Sequence, residues 1–569
     1  MVEGALISDS GDPDERAVRR LVNERHDLVV VGGGIHGAFA AWQAARRGWR
    51  VALLEQRDFG SGTSANSLKI AHGGLRYLQK LDVRRLRASV RERTALRELA
   101  PALVRELPCL LPVHGAGSRS RAALALAMAA NEVLSLGVRG SGSTRLPRGR
   151  TIGRAEYAAR AREFTIGGST GAALWHDALI ESPERLLLAV VLAAEREGAL
   201  VLNHSRVTAV LARNGHVTGV RVQRQRTGAS SRDVMEVRSA AVLLTAGPWT
   251  GDLASDRTRL VRGCNVVLRI DRGRMPDAAV ALPLPRENRM LFAVPWNGHL
   301  MVGTSYSVIP SDGDTDRAIA GHAPDVHSLL ADLRSAVPSL DVRAGDVVQV
   351  HSGLLPGEAG PHGAVPLDRP ILIEGTRVGG PAGLVVLQGV KWTTARRVSR
   401  QALDLCAHVA GMGRSASNGH RARPNDEHAV LVPEGDGAAL ASRVGLLPGR
   451  AGRPGDLASR IAARLMRLRG ARVGEVLALA AAEPRLAEVV PGTTVLRAEV
   501  VHAIRREHAR TLEDLVMRRL ELGTAGLPDD QVLGELARVA ADELEWNSQR
   551  LAAERQSLIA ACSIAGASG

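Results

Sequence analysis

The sequence predicts an α/β fold: a Rossmann-type domain, an antiparallel sheet interleaved with it, and a helical carboxy-terminal domain. Three observations predict it. HDLVVVGGGIHGAFAAWQAARRGWRVALLEQRDF runs strand, glycine cluster, Ala-rich helix, second strand. Alternating apolar segments follow between about 190 and 350, and apolar residues recur every three or four positions through most of 427–560.

Taken in order, residues 1–24 are polar and read as a loose arm. Residues 25–411 form the Rossmann-type domain with the interleaved part at about 262–350. Apolar and arginine residues recur at helical spacing from Val83 to Glu106, with Pro101 as an interruption. GALVLNHSRVTAVLARNGHVTGVRVQRQ is strand-rich, and its Asn214-Gly215 pair suits a two-residue hairpin. AAVLLTAGPWTGDL is a strand entering a Gly-Pro turn, and NVVLRI, RMLFAVPW and HLMVGTSYSV are the strands of the interleaved sheet. Residues 412–426, rich in Gly, Ser, Asn and Pro, read as a linker before the helical residues 427–560.

At 569 residues the chain is long enough for several cores. Its 74 Lys+Arg against 59 Asp+Glu give a net charge of +15, which favours anionic ligands or surfaces. No basic run interleaved with aromatics and no zinc-finger spacing supports nucleic acid as the partner. Cys109, Cys264, Cys406 and Cys562 lie far apart without a CxxC pair, as in a reduced cytoplasmic chain with no structural zinc. The start is polar where a signal peptide needs an apolar core, and the apolar stretch Ala122 to Ala130 is too short to span a bilayer.

Gly32, Gly34 and Gly37 form G-x-G-x-x-G between the first strand and its helix. Gly32 permits the tight turn, Gly34 lets a pyrophosphate approach backbone N–H groups at the helix N-terminus, and Gly37 lets helix and strand pack closely. Glu55 closes the second strand, where a carboxylate accepts hydrogen bonds from an adenosine ribose. The order of elements points to a dinucleotide, and the glycines alone leave FAD and NAD both open.

GGGIHGAFAAWQAARRGWRVALLEQRDFGSGTSANSLKIAHGGLRYLQ resembles the amino-terminal signature of FAD-dependent glycerol-3-phosphate dehydrogenases, within the D-amino-acid-oxidase-like flavoprotein group. LLTAGPWTGDL, FAVPWNGHLMVGTS and LQGVKWTTARRVSRQALD are similar to further segments of that family, and the stretch ending in RTLEDLVMRRLELG to its cap domain. The resemblance implies a Rossmann-type FAD-binding domain with Gly32, Gly34, Gly37 and Glu55 on the ADP half of FAD. It implies Thr63, Ser64, Ser67 and Lys69 along the pyrophosphate-to-flavin stretch, Val207 on the adenine side, and Gly247 and Trp249 beside the cofactor. Gly389 and Lys391 would lie at the isoalloxazine ring, and His72, Arg76, Tyr77, Arg369 and Lys391 would face the substrate.

The implied reaction takes hydride from C2 of sn-glycerol 3-phosphate to flavin N5, and electrons then pass to quinone or another acceptor. A homodimer and peripheral contact with the inner face of the cell membrane are expected with it, and basic helices such as RIAARLMRLRGAR offer charge for that contact. The chemistry of the residues agrees: His72 suits proton abstraction near neutral pH. Arg76 and Arg369 suit a phosphate, and Lys391 suits negative charge developing at the flavin.

Two positions depart from the family's pattern. Leu355 stands where Ser-Gly-x-Arg-Pro carries arginine, and Tyr306 stands where Gly-Thr-Thr-Asp carries the acid. Both motivate the alternative of a different hydroxylated or amino substrate. The chain also holds only three lysines, Lys69, Lys80 and Lys391, among its 74 basic residues. Lys69 and Lys391 fall in segments assigned to FAD, and Lys80 has no such assignment.

Overall fold

The computed structural model describes residues 13–115, 117, 120–138, 140, 142–225, 232–254, 258–284, 289–309, 315–320, 323–360, 363–412, 429–447 and 455–562. Residues 413–426 of the expected linker, and the tail beyond Cys562, lie outside them.

The Rossmann-type sheet has β1 (His26–Val31) at its middle, between β10 (Arg232–Leu244) and β2 (Val51–Leu54). Beyond β2 lies β7 (Leu200–Leu202), and beyond β10 lie β18 (Leu384–Gln388) and β17 (Ile371–Glu374). All these pairings are parallel except that of β17 with β18. Leu28, Val29 and Val30 are wholly buried, because a parallel strand covered on both faces needs a continuous apolar run. On one face lie α2 (Ile35–Arg46), α6 (Pro183–Arg196) and α9 (Ala395–Val409), whose small residues Ala38, Ala41, Ala194 and Ala402 share one core. On the other face β8 (Ser205–Arg213) and β9 (His216–Gln225) continue antiparallel into β10. The hairpin predicted at Asn214-Gly215 is present, with φ of 51° and 76° and Arg213 paired to His216.

The amino-terminal arm is a correction. Residues 13–23 form α1 (Pro13–Asn23), which buries Leu21 on the sheet, while Asp14 pairs with Arg224 and Arg510. A short amphipathic helix was hidden by its many charges.

The second sheet runs in the order β16 (Gly363–Pro366), β15 (Val347–Gly360), β11 (Leu260–Leu268), β14 (His299–Val308), β13 (Arg289–Trp296), β12 (Ala279–Leu284), β4 (Val104–Val113), β6 (Gly171–Ile180), β3 (Ile70–Ala71). A further strand, β5 (Arg150–Gly153), pairs with β6. The sheet therefore extends beyond the expected 262–350, because β4 joins β12 in parallel and brings residues 70–180 with it. The helix predicted from Val83 stops at Leu99 as α3 (Val83–Leu99), and the apolar residues after Pro101 enter β4. Among the described residues, α4 (Arg121–Leu134), α5 (Arg154–Ala161), α7 (Thr315–Ala320) and α8 (Ala323–Ala336) pack on this sheet or its edge, as does α3 on β4 and β6.

The carboxy-terminal domain is helical, as predicted: α10 (Gly437–Gly445), α11 (Gly455–Arg469), α12 (Val473–Ala482), α13 (Arg497–Arg506), α14 (Asp530–Leu544) and α15 (Ser548–Cys562). It docks through buried ion pairs. Asp58, just beyond β2, meets Arg518 and Arg519, and Arg185 of α6 meets Glu507 at 2.8 Å. The basic stretch RIAARLMRLR is α11, and its charges are used internally: Arg464 pairs with Glu499, Arg467 with Glu521 and Arg469 with Glu507. Its apolar residues Ile461, Ala462 and Leu465 are core, so the helix is not a free basic surface. Among the described residues no helix is long and apolar enough to cross a membrane.

Candidate cofactor and substrate site

The glycine turn is built by close approach. Gly32 has φ of 104°, and a Cβ on Gly37 would fall 1.9 Å from the Gly32 carbonyl oxygen. Glu55 accepts hydrogen bonds from the Gly33 N–H at 2.6 Å and the Arg57 N–H at 2.8 Å, so the carboxylate at the end of β2 steadies the turn. Burial raises its pKa, and the two backbone donors oppose that shift. Ser64 Oγ accepts from the Ile35 N–H at 3.0 Å, at the start of α2, and lies 3.1 Å from a Cβ built on Gly34. The segment after Glu55 thus folds back over the helix N-terminus.

That segment is anchored on both sides. Thr63 donates to the Leu354 carbonyl at 2.8 Å, and Trp392 Nε1 donates to the Ser64 carbonyl at 3.0 Å. Ser67 accepts from the Lys69 N–H at 3.2 Å. Lys69 itself turns inward: it is 1% exposed, its Nζ donates to Glu184 at 3.2 Å, and it lies 4.7 Å from the centre of the Trp296 ring. Its charge is thus sequestered with Glu184 inside the protein.

Val207 is buried in β8 beside a register shift, and Gly247 has φ of 56° at the turn after β10. Trp249 lies against Gly62, donates to Asp316 at 3.1 Å, and has the Arg57 guanidinium 5.1 Å from its ring centre. At the end of β18, a Cβ on Gly389 would fall 1.9 Å from the His36 ring. His36, on the first turn of α2, thus lies between the glycine turn and the Gly389 segment. Its Nε2 is buried without a hydrogen-bond partner among the described residues, and burial pushes its pKa down to about 4. An orphaned buried nitrogen beside two glycine-lined segments fits a group bound between them.

The residues expected to face substrate come from three stretches of the chain, at 72–77, 369 and 391. His72 follows β3, and its backbone N–H donates to Thr393 at 3.2 Å. Arg76 and Tyr77 lie on a 3₁₀ helix, Leu75–Lys80, and Lys391 follows β18. Lys391 Nζ donates to the Tyr77 hydroxyl at 2.6 Å and to the Asp368 carbonyl at 3.3 Å. The Tyr77 ring packs edge-on to His72, with centroids 6.3 Å apart. Arg369 is exposed in the turn between β16 and β17.

The His72 ring is pushed down to about 4 by burial, with Lys391, Arg76 and Arg93 adding to the fall and Asp177 opposing it. Asp177 was not singled out in the sequence, where nothing distinguishes it within LWHDAL. It accepts from the Gly73 N–H and from Arg93, both at 2.6 Å, and from Trp175 Nε1 at 3.0 Å. These bonds fix the His72 loop.

The two departures meet in space. A Cβ built on Gly263 of β11 would lie 3.3 Å from the Tyr306 ring and 3.5 Å from Leu355. Tyr306 is raised in pKa by burial, with Thr304 and Arg76 opposing, so its hydroxyl stays protonated near neutral pH. Asp58, His204 and Asp514 also cluster within metal-ligand reach, but Asp58 and Asp514 already accept from Arg518, and Asp58 from Arg519 as well. Those guanidinium contacts make the cluster part of the domain junction.

Residues 27–404 match the family described as FAD dependent oxidoreductase, and residues 426–551 match the C-terminal domain of alpha-glycerophosphate oxidase. A Mycobacterium tuberculosis protein, glycerol-3-phosphate dehydrogenase 2, is 30% identical over 94% of this chain and 88% of its own length. A Synechocystis glycerol-3-phosphate dehydrogenase is 29% identical over 93% of this chain and 94% of its own. Among solved structures, the glycerol-3-phosphate dehydrogenase from Bacillus halodurans complexed with FAD has the same fold, with a TM-score of 0.70, 20% identity, and 96% of each chain covered.

Proposed function

The chain belongs to the FAD-dependent oxidoreductases and, within them, to the glycerol-3-phosphate dehydrogenase family, and from that premise we propose that it oxidises sn-glycerol 3-phosphate to dihydroxyacetone phosphate. FAD, the cofactor of the family, supplies the hydride acceptor when bound. Gly32, Gly34, Gly37 and Glu55, with Val207 on the adenine side, would hold its ADP half, and Thr63, Ser64, Ser67, Gly247, Trp249 and Gly389 would line the rest.

His72 is neutral at pH 7 and accepts the proton of the C2 hydroxyl as hydride leaves the same carbon, which closes the ketone. Asp177 keeps that imidazole in place and raises its proton affinity against the effect of burial. Arg76 and Arg369 meet the phosphate, where the planar guanidinium suits two oxygens at once. Lys391, aimed by Tyr77, stabilises negative charge during hydride transfer. The electrons leave to a quinone or another acceptor.

The observation that supports this reading most is the Lys391–Tyr77 bond, which brings the segment after β18 onto the helix carrying Arg76 and against His72. Product analysis tests it: the holoenzyme with an artificial acceptor should form dihydroxyacetone phosphate from glycerol 3-phosphate in stoichiometric amount.

A second reading rests on Leu355 and Tyr306, which place an apolar and a phenolic wall together over Gly263. In it the substrate is another hydroxylated or amino compound. Turnover of such a compound, with none of glycerol 3-phosphate, selects this reading.

A further inference from the structure

Asp368, in the turn between β16 and β17, is surrounded by cations from three other segments. Its carboxylate lies 2.9 Å from Lys80, 3.7 Å from Arg85 and 3.8 Å from Arg76, while its carbonyl takes Lys391 at 3.3 Å. Two of the chain's three lysines therefore converge on this one residue. The neighbouring charges, Lys80 foremost, hold its carboxyl below the ordinary carboxylate range, so it is an anion at neutral pH.

The contacts differ in kind. Lys80 makes a direct hydrogen bond, whereas Arg76 stands at the long end of ion-pair distance with its side chain 74% exposed. An exposed pair at 3.8 Å is weak and easily exchanged. Arg76 is also the residue read above as meeting the substrate phosphate. It cannot direct the same guanidinium face at Asp368 and at a phosphate.

We propose that Asp368 is the internal counter-anion of the substrate site: Lys80 and Arg85 hold its carboxylate beside Arg76, and an incoming phosphate takes Arg76 from it. Asp368 is thus a specificity-determining residue that sets how tightly the site holds anions. Part of the attraction of Arg76, Lys80, Arg85 and Lys391 is cancelled within the protein. Binding of the substrate anion is an exchange, and the negative charge of Asp368 speeds release of an equally anionic product. The inference rests on the reading that Arg76 and Lys391 face an anionic substrate.

The sign of one effect separates this role from a structural one. If Asp368 only braced the cations, its removal would let them drift and weaken anion binding. If it competes with the anion, its removal strengthens binding. Inorganic phosphate is the probe, titrated into the FAD-loaded protein at constant ionic strength and read by the perturbation of the flavin absorption band, which needs no turnover. Asp368→Asn should tighten phosphate binding by about three- to tenfold, from the Coulomb attraction of nearby charges reduced by screening.

Lys80→Gln, which releases the carboxylate toward Arg76 and removes a cation, should weaken it. Asp368→Glu, which keeps the charge, should stay near the original value. Weaker binding in Asp368→Asn, an unchanged value, equal behaviour of Asp368→Glu and Asp368→Asn, or no saturable phosphate response in the unaltered protein would overturn the proposal. Failure of glycerol 3-phosphate to be oxidised, with the phosphate response intact, counts against the substrate reading instead.

Discussion

Lys391 reaches the Tyr77 hydroxyl at 2.6 Å, and through that bond the strand end that closes the Rossmann-type sheet is tied to the 3₁₀ helix of the substrate side. The contact uses the ammonium as a compact donor, with the Tyr77 ring centre 5.0 Å away. A guanidinium is larger and planar and does not fit the same geometry. Lys391→Arg should therefore slow flavin reduction by at least about tenfold, equivalent to one hydrogen bond of ~1.4 kcal/mol. Lys80→Arg, which keeps its charge beside Asp368, should change it far less. Rapid-mixing anaerobic reduction of both variants gives the comparison, and equal effects would remove the special role of Lys391.

His72 is expected to show its depressed proton affinity in the pH profile. With the imidazole near 4, the acid limb of kcat, which the second ionisation of the free substrate phosphate at about 6 does not enter, falls about there and not near the ordinary 6.5. Asp177 raises the His72 value, so Asp177→Asn should move the limb lower still, as well as loosening the Gly73 loop. A limb at 6.5 in the unaltered enzyme would show that another group takes the proton.

Gly37 tolerates no side chain. A Cβ there meets the Gly32 oxygen of the turn at 1.9 Å and, at 2.6 Å, Thr245 Oγ1 just past the end of β10, which donates to that same oxygen. Gly37→Ala should cost about 3 kcal/mol, the upper end for overpacking, and lower the FAD content of the purified protein. Thermal unfolding and the ratio of flavin to protein absorbance measure the two effects.

The junction of the two domains should fail in acid. Asp58, Glu507 and Asp514 are held below their ordinary values by the arginines and His204 around them, although burial acts the other way. Their contribution is present above the ordinary carboxylate value and is lost as pH falls through the folded one. The buried imidazoles of His36, at about 4, and His351, at about 3, act earlier. Each is protonated more readily in the unfolded chain, so stability declines as pH drops from about 6.5 toward 4. Asp58→Asn leaves Arg519 without its buried carboxylate and takes one of several from Arg518, which keeps Asp514, and should cost about 3–5 kcal/mol. Denaturant titration from pH 7 to pH 4 follows both effects.

Local pattern made the β-α-β unit, the Asn214-Gly215 hairpin and the carboxy-terminal helices legible, because each is written in adjacent residues. What the sequence hid lies in long-range pairing. Lys69 and Glu184 are 115 residues apart, and nothing in SLKIAHGG reveals that the lysine turns inward. Lys80 lacked a reading until Asp368, 288 residues away, was found beside it. α1 was missed because Asp14 finds its cations in Arg224 and Arg510, so a charged segment became ordered by the fold around it. Strand β6, apolar along nearly all its length, could not be told from a buried helix by periodicity.

The central claim is that this FAD-loaded protein takes two electrons from glycerol 3-phosphate. Absorbance of the flavin band after anaerobic addition of that compound tests it most directly. Bleaching of the oxidised band, complete at saturating substrate and not reproduced by glycerol, is the result predicted. An unchanged band at millimolar glycerol 3-phosphate, in protein whose flavin is still reduced by dithionite, would contradict it.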